Sequence, residues 1–326
     1  MHHKIIVTNP LHASVRDRLA AVGTLDMNSS IEPWSPQELA ARIAEASAMM
    51  GFMTDRVDAA LLRAAPKLRI VACALKGFDN YDVDACTRSG VWVSIVPDLL
   101  TEPTAELAVG LGITLARNIL PGDRYIRAHE FSGWRAHLYG QGLHGSVAAV
   151  IGLGKVGQAI VDRLAGFGCA RILGVDPVGS HAGVTNVSLE DALAGSDFVF
   201  VGVPLTAHTR HLIGAAQLAK AKPGQLIINV GRGSVIDEEA IADALEAKQL
   251  GGYAADVFEF EDWGLSDRPK VIPPRLLAHP ATVFTPHLGS AVRNVRLAIE
   301  HRAADNIIAC LEGKAPGDAI NRPAPR

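Results

Sequence analysis

Cysteines and aromatic residues are scarce in this 326-residue sequence, and neither sign of charge is in large excess. The four cysteines form no Cys-x-x-Cys pair, which argues against a metal site or a disulfide framework. A net charge of −3 provides neither a basic footprint for nucleic acid nor a charged stripe for a membrane surface. No uncharged apolar run reaches the ~18 residues needed to cross a bilayer, and the N-terminus lacks a signal-peptide pattern. We therefore expect a cytoplasmic protein without a metal, nucleic-acid or membrane partner.

What the sequence has instead is glycine, 31 residues of it, and a regular alternation of strand-like and helical patterns. This alternation is typical of a parallel α/β fold. Strands are predicted at 4–8, 48–53, 68–75, 91–96, 146–154, 170–176, 197–203, 225–230, 251–257 and 282–287. Helices are predicted at 11–22, 36–46, 58–65, 101–119, 156–168, 238–247 and 291–312, with an irregular stretch at 120–145. Length and pattern together predict an α/β protein with two Rossmann-like lobes and parallel sheets.

A glycine-rich motif opens the second half of the chain. Gly152, Gly154 and Gly157 follow a predicted strand with the spacing G-x-G-x-x-G and open a predicted helix. The first glycine permits a tight turn, the second lets the backbone approach a pyrophosphate, and the third lets helix and strand pack closely. Lys155 and Val156 begin the helix, whose terminal amides and dipole favour phosphate. The motif predicts a dinucleotide site.

Two further features sharpen the prediction of a dinucleotide site. Asp176 lies 19 positions beyond Gly157, where an acid can bind both ribose hydroxyls and would repel a 2′-phosphate. We therefore expect NAD rather than NADP as the cofactor. Pro204, Leu205 and Thr209 follow a later strand, at the sheet edge where open α/β folds bind ligands. A simple proline turn explains that segment about equally well.

Three side chains that can carry chemistry follow later predicted strands. Arg232 stands between glycines, where its fork suits a small oxyanion. Glu261 lies among the acids of 256–261, and His287 ends the last strand. Histidine suits proton transfer near neutral pH, and a nearby carboxylate would orient its ring and favour its charged form. Singly, each has a structural interpretation (a turn charge, a solvated acid, a buried histidine), but their order after a dinucleotide motif predicts catalysis.

These three residues in these settings resemble the D-2-hydroxyacid dehydrogenase family, across essentially the whole chain. The resemblance implies that Arg232, Glu261 and His287 form a catalytic triad in a cleft between the lobes. It also implies that the last helix returns to the first lobe. Residues 1–98 plus 291–326 would then form the substrate domain, and 99–290 the NAD-binding domain. Other cofactor-binding residues implied by the resemblance are Thr104, Val230, Gly231, Arg232, Asp256, His287 and Gly289.

Within that family the resemblance is greatest to the phosphite dehydrogenases. It is carried by the segments ALKGFDNYDVDAC (74–86), VPDLLTEPTAEL (96–107), GGYAADVFEFEDW (251–263) and FTPHLGSAVRNVRLAIE (284–300). Asp262 follows Glu261, where the family usually has proline. Lys76 precedes Gly77 in the first segment, and a lysine acting with an arginine suits a phosphite dianion, which carries more charge than a carboxylate.

The same resemblance implies three more residues at the substrate site. Met53 and Arg296 would line it, and Trp134 would lie at its rim, contributed by the partner subunit of a homodimer. The exposed apolar residues of 120–145 suit a dimer arm, although a loop folded on its own lobe also explains them. Singly, Met53 suits a core, Trp134 a packing anchor and Arg296 a helix surface.

The predicted reaction is NAD-dependent oxidation of phosphite to phosphate. His287 would act as general base, Lys76 and Arg232 would bind the anion, and hydride would pass to NAD. One alternative is a D-2-hydroxyacid dehydrogenase or glyoxylate/hydroxypyruvate reductase, which needs the same triad but gives Lys76 no clear role. A second alternative is an NAD-sensing regulatory protein of the corepressor type, since fold alone does not set function.

Overall fold

The computed structural model describes residues 3–324, and the chain divides into two compact units. The first comprises Met1–Leu100, Trp263–Ser266 and Val292–Arg326, and the second comprises Thr101–Asp262 and Asp267–Ala291. Each unit contains one parallel sheet with helices connecting its strands. The predicted α/β class with two parallel sheets is confirmed.

The first unit has a five-stranded sheet in the order β2-β1-β3-β4-β5. Its strands are β1 (His3–Val7), β2 (Gly23–Met27), β3 (Ala48–Gly51), β4 (Ile70–Cys73) and β5 (Trp92–Ser94). The helices between them are α1 (Ala13–Ala20), α2 (Pro36–Ile43), α3 (Ala59–Ala64) and α4 (Val83–Arg88). Every residue of β3 and β4 is buried, as expected for central strands whose two faces are both covered.

The second unit has a seven-stranded sheet in the order β12-β11-β10-β9-β6-β7-β8. Its strands are β6 (Val147–Ile151), β7 (Arg171–Val175), β8 (Thr185–Asn186), β9 (Phe198–Val201), β10 (Gln225–Asn229), β11 (Leu250–Ala255) and β12 (Thr282–Phe284). Its helices are α5 (Thr101–Ala116), α6 (Ile119–Arg127), α7 (Lys155–Ala165), α8 (Leu189–Gly195), α9 (Ala215–Leu218), α10 (Glu238–Glu246) and α11 (Pro274–Ala278). The strand order reverses between β6 and β9, which is where doubly wound sheets bind ligands.

The chain then returns to the first unit in α12 (Arg293–Leu311). Buried residues of α12, including Ile299, Ala303 and Ile307, pack in one core with residues of β1 and β3. Among residues 3–324, no helix combines the length and apolar character needed to span a bilayer.

Several elements lie outside the predicted segments, namely β2, β8, α4, α6, α8, α9 and α11, and two of them, β2 and α6, show why. β2 is an edge strand without a single buried residue, so it has no apolar run to signal it. α6 lies inside the stretch 120–145 that was predicted to be irregular, and that part of the prediction is wrong. Pro121 and Gly122 disfavour a helix interior, but in α6 they occupy the first turn, where proline is tolerated. α6 has no buried residue either.

Candidate active site

The glycine-rich turn joins β6 to α7. Gly152 has a φ of 92°, a conformation that favours glycine. A Cβ on Gly157 would lie 1.8 Å from the carbonyl oxygen of Gly152, so only glycine lets helix and turn approach this closely. A Cβ on Gly154 would instead meet nothing within 4 Å in the described chain. Gly154 also begins α7 without a side-chain cap, which suits a pyrophosphate bound by the first helical N–H groups. The turn therefore fits a dinucleotide.

Asp176, directly after β7, is tied to this turn. Its Oδ2 accepts a hydrogen bond from Leu153 N (2.8 Å), and its Oδ1 accepts bonds from Val178 N (3.0 Å) and Gly179 N (2.5 Å). Burial alone would raise the pKa of Asp176, but the three N–H donors outweigh it and the pKa lies below its ordinary value. Asp176 is therefore a fixed negative charge next to the glycine turn, the arrangement expected for an acid that binds ribose hydroxyls.

The loop after β9 closes on itself. Thr209 Oγ1 donates to the carbonyl oxygen of Pro204 (2.6 Å) and accepts from Thr206 N (2.8 Å), so Leu205 lies inside a fixed loop. These contacts place the predicted cofactor residues of this segment at the carboxyl edge of the sheet, one strand from the glycine turn.

Asp256, at the end of β11, organises the turn that carries His287. Its Oδ1 accepts bonds from Thr285 Oγ1 (2.6 Å) and Leu288 N (2.7 Å), and its Oδ2 accepts one from Gly289 N (2.8 Å). Burial nevertheless raises the pKa of Asp256 above its ordinary value. The predicted Thr104 also belongs here, since a Cβ on Gly289 would lie 3.0 Å from Thr104 Oγ1. The predicted residues Thr104, Asp256, His287 and Gly289 are thus brought together.

His287 and Glu261 form a direct pair. His287 Nδ1 lies 3.1 Å from Glu261 Oε2, and the two side chains are 32% and 17% exposed. The other oxygen, Glu261 Oε1, accepts a bond from Phe258 N (2.9 Å), which fixes the carboxylate. His287 has a φ of 55°, uncommon for a residue other than glycine, and such conformations cluster at functional sites. The pair leaves Nε2 of His287 as the nitrogen available for proton transfer.

Arg232 follows β10 in a turn that packs against the Glu261 turn. Buried Asn229 fixes it, donating to the Arg232 carbonyl oxygen (2.9 Å) and accepting from Gly231 N (3.1 Å). A Cβ on Gly233 would lie 1.8 Å from the carbonyl carbon of Phe258, so the two backbones are in direct contact. Val230 lies at the start of this turn and is buried. The predicted residues of this turn therefore lie against the one that holds Glu261.

In the first unit, Arg296 contacts the two segments that carry the other predicted substrate residues of this unit. Arg296, near the start of α12, donates from Nη1 to the Ala74 carbonyl oxygen (3.2 Å), two residues before Lys76. Its guanidinium also lies 5.7 Å from the centre of the Phe52 ring, which precedes Met53. Burial lowers the pKa of the Arg296 guanidinium, although the charge of Glu300 opposes the shift. Gly77 follows Lys76 at the same edge, after β4. Lys76 and Arg296 thus place two cationic residues near the carboxyl edge of this sheet.

Trp134 lies in the non-helical stretch after α6, away from the turns described above in the second unit, and is 78% exposed. Ile126, Phe131 and Tyr139 of the same region are also more than half exposed. These exposed apolar residues are compatible with a dimer arm, and both the homodimer and the partner-subunit role of Trp134 stay predictions.

Sequence patterns did not single out three residues next to the proposed triad, namely His211, Asn229 and Glu238. Glu238 is 1% exposed and Asn229 is fully buried. Glu238 follows Asp237, which caps α10, so in the sequence it has the pattern of an ordinary solvated acid in a first helical turn. Only burial distinguishes it, and burial was not visible in the sequence.

Comparison with known proteins identifies the family. Residues 109–289 match the family described as D-isomer specific 2-hydroxyacid dehydrogenase, NAD binding domain. A glyoxylate reductase of Korarchaeum cryptofilum is 34% identical over 99% of this chain and 97% of its own length. A glyoxylate reductase of Pyrococcus horikoshii is 35% identical, over 91% of each chain.

Solved structures agree with this assignment. The TT0316 protein from Thermus thermophilus superposes with a TM-score of 0.90 at 32% identity, covering 98% of this chain and 100% of its own. The matched NAD-binding domain contains the glycine turn, so the predicted cofactor NAD is confirmed. The predicted oxidoreductase class is confirmed as well, and the relatives named here are glyoxylate reductases rather than phosphite dehydrogenases. The chain belongs to the D-isomer specific 2-hydroxyacid dehydrogenase family.

Proposed function

We propose that this dehydrogenase oxidises phosphite to phosphate with NAD. The observation that carries the proposal is Lys76, which stands after β4 in a segment resembling the phosphite dehydrogenases. Arg296 contacts the same stretch of backbone through Ala74, so the first unit offers two cationic residues near one sheet edge. Phosphite is a dianion near neutral pH and needs more positive charge than the single carboxylate of a 2-hydroxy acid. Lys76 has a clear role with phosphite, whereas Arg232 alone can bind the single carboxylate of glyoxylate or hydroxypyruvate.

In the proposed mechanism His287 acts as general base. Its Nδ1 is held by Glu261, so its Nε2 takes a proton from water as the water oxygen attacks phosphorus. The P–H bond breaks with its electron pair, and one phosphate, one hydride and one proton result. Bound NAD supplies the acceptor for that hydride. Arg232 and Lys76 hold the anion's oxygens and offset the charge that grows on them, and Glu261 stabilises the charged imidazole.

The second candidate is reduction of glyoxylate or hydroxypyruvate, and the names of the relatives favour it over phosphite oxidation. Here Arg232 would bind the carboxylate through its fork, and His287 would donate a proton to the carbonyl oxygen as hydride reaches the adjacent carbon. The relatives share about a third of their residues with this chain, an identity that shows the family and leaves the substrate open.

A single spectrophotometric assay at the NADH absorption band tests both candidates. Purified protein is assayed with NAD and phosphite, and separately with NADH and glyoxylate or hydroxypyruvate. Rapid NADH formation with phosphite, and much slower reaction with the organic acids, is the expected result. Turnover of the organic acids without phosphite turnover would overturn the proposal in favour of the second candidate.

Lys76→Ala sharpens the choice. Losing a charged partner of the dianion should lower kcat/KM for phosphite by about tenfold to a hundredfold. Any residual glyoxylate reduction should change far less. Lys67→Ala is the matched control, because Lys67 lies in the same unit and is exposed and paired with Glu45. Equal phosphite kinetics in the Lys76 and Lys67 variants would remove the role given to Lys76.

A further inference from the structure

Two buried glutamates in the second unit bind each other's backbone. Glu238 opens α10, and its Oε1 accepts a hydrogen bond from Glu259 N (2.9 Å). Glu259 opens the short 3-10 helix Glu259–Glu261, and its Oε1 accepts a bond from Glu238 N (3.0 Å). The two residues are only 1% and 7% exposed. Each glutamate therefore satisfies a backbone donor that would otherwise be buried and unpaired at the start of the other's helix.

The reciprocal pair joins the two turns that carry the proposed triad. Glu259 is two residues from Glu261, and α10 begins six residues after Arg232. The same two turns also meet where Ser234 N donates to Asp262 Oδ2 (2.7 Å). Moving either glutamate would shift the turn that holds Glu261 relative to the turn that holds Arg232.

His211 ties a third segment to the pair. Its Nε2 lies 2.8 Å from Glu259 Oε2, and its backbone N donates to the Ser234 carbonyl oxygen (2.7 Å). His211 has a φ of 49°, so the loop after β9 holds an uncommon conformation to make these contacts. Within residues 3–324, no group of three acidic, histidine or cysteine side chains is arranged to hold a metal.

The charges around Glu238 are mostly negative. Burial raises the pKa of Glu238 to about 8, the Glu259 N–H opposes the shift, and the charges of Glu259, Asp262 and Glu261 add to it. Glu238 Oε2 is buried and accepts or donates no hydrogen bond within the described chain. The other polar and titratable groups around Glu238 and Glu259 are Asn229, Ser234, Tyr253, Glu261, Asp262 and, next to Glu259, His211.

We propose that Glu238 and Glu259 are positioning residues, which hold the Glu261 turn in register with the Arg232 turn. The inference rests on the proposed function only in assigning Arg232, Glu261 and His287 to hydride transfer. Neither glutamate needs to touch substrate or cofactor. Their effect on the reaction passes through the Glu261–His287 pair.

The test compares Glu238→Ala with Glu238→Gln. Alanine removes the acceptor of Glu259 N, whereas glutamine keeps an acceptor oxygen and copies the shape of a neutral glutamic acid. We expect Glu238→Ala to lower kcat by about tenfold to a hundredfold, the effect of misplacing a catalytic group by about 1 Å. Glu238→Gln should stay within about twofold of the wild type at pH 7. NADH affinity, measured by fluorescence titration, should fall far less than kcat in Glu238→Ala, because the glycine turn is not altered, and should match the wild type in Glu238→Gln.

Glu239→Ala is the matched control. Glu239 is the next residue of the same helix, but it is exposed and pairs with Arg275 on the surface. Its removal should leave kcat unchanged. Wild-type kcat in folded Glu238→Ala would overturn the positioning role. A loss in Glu238→Gln as large as that in Glu238→Ala would overturn the role given to the acceptor oxygen that glutamine retains.

A pH profile separates positioning from general loss of structure. Loosening Glu261 weakens its support for the charged imidazole of His287, so the pH dependence of kcat should change in Glu238→Ala and not in Glu238→Gln. If the alanine variant does not fold, Glu238→Asp replaces it, since aspartate keeps the carboxyl group but is one methylene too short to hold Glu259 N at the same distance. An aspartate variant with wild-type kcat and pH profile would then overturn the inference.

All variants are assayed with whichever acid or phosphite the wild type converts fastest. Absence of phosphite turnover in the wild type would overturn the proposed substrate. It would not affect the comparison among Glu238 variants, which is made on the substrate that is converted. The two proposals therefore fail on different measurements.

Discussion

The turn predicted to bind the cofactor and the turns that carry the proposed triad lie in the same unit, but different parts of the chain stabilise them, backbone in the first and buried side chains in the others. The turn at 152–157 is made of backbone, and its shape depends on side chains that are absent, because a Cβ on Gly157 would collide with Gly152. The turns at 229–234 and 256–262 are held by buried side chains of Asn229, Glu238 and Glu259. Backbone amides suit an anion that only has to be bound, whereas proton transfer needs side chains held in one geometry.

One acid from each of these two regions shows how its surroundings set the pKa of a carboxyl group. Asp176 and Glu238 both accept hydrogen bonds from backbone N–H groups, yet the pKa of Asp176 is lowered and that of Glu238 is raised to about 8. Asp176 has three donors and partial exposure, whereas Glu238 is buried beside other acids. The number of donors and the neighbouring charges decide whether a bound carboxylate stays charged.

The largest effect should come from His287→Gln. Removing the proton-transfer group should lower kcat by about a hundredfold to ten-thousandfold, while NADH affinity should fall far less, because the glycine turn is intact. Steady-state kinetics and a fluorescence titration measure the two quantities. His301→Gln, on α12 where the ring contacts Ser14 and Arg18, is the control and should retain activity. Loss of NADH binding together with kcat would show that the two regions are not separable.

Gly157→Ala tests the turn at 152–157, which is made of backbone. The new Cβ must displace the Gly152 carbonyl, so the free energy of unfolding should fall by about 1–3 kcal/mol and NADH binding should weaken at least about tenfold. Gly154→Ala is the matched control for folding, because its Cβ meets nothing in the described chain. Urea unfolding should leave Gly154→Ala unchanged within about 0.5 kcal/mol while its NADH affinity falls. Wild-type NADH affinity in Gly154→Ala would contradict a pyrophosphate at this turn.

Asp176→Ala should shift the cofactor preference away from NADH and towards NADPH. Losing a charged acceptor for the ribose should weaken NADH binding by about tenfold to a hundredfold, and removing the negative charge should strengthen NADPH binding. Asp176→Asn keeps the shape without the charge and should gain NADPH affinity with a smaller loss of NADH affinity. Titrations with both cofactors measure the change. Unchanged NADPH affinity in both variants would mean that Asp176 does not select NAD.

The smallest expected effect is a pH-dependent change in the free energy of unfolding, and it comes from Glu238. The pKa of Glu238 rises from about 4.5 in the unfolded chain to about 8 in the fold, so the unfolded chain loses its proton at lower pH. The stability contributed by neutral Glu238 is complete below pH 4.5 and falls as pH rises toward 8. Between pH 6 and 7, wild type should lose about 1.4 kcal/mol of unfolding free energy relative to Glu238→Gln. Parallel urea curves at both pH values measure it, and equal losses would contradict a neutral Glu238.

The sequence predicted the backbone-built region better than the side-chain-built one. Glycine spacing after an apolar strand is a local signal, so the turn at 152–157 and Asp176 could be located from residue types alone. Arg232, Glu261 and His287 could be named as candidates from their places after later strands, but each alone also had a structural interpretation, and only the family resemblance implied that they form a triad. Glu238 and His211 could not be named at all, because a glutamate after a helix cap and a histidine in a loop have no local signal.

The sequence by itself determined the parallel α/β class, the NAD cofactor and the chemical types present after each strand. Tertiary structure decided which of those groups meet: His287 with Glu261, Glu238 with Glu259, and Arg296 with the backbone before Lys76. The physical reason is the distance along the chain over which each kind of signal acts. Turn geometry and hydropathy depend on residues a few positions apart, whereas these contacts join residues 21 to 222 positions apart and depend on how strands are ordered in a sheet.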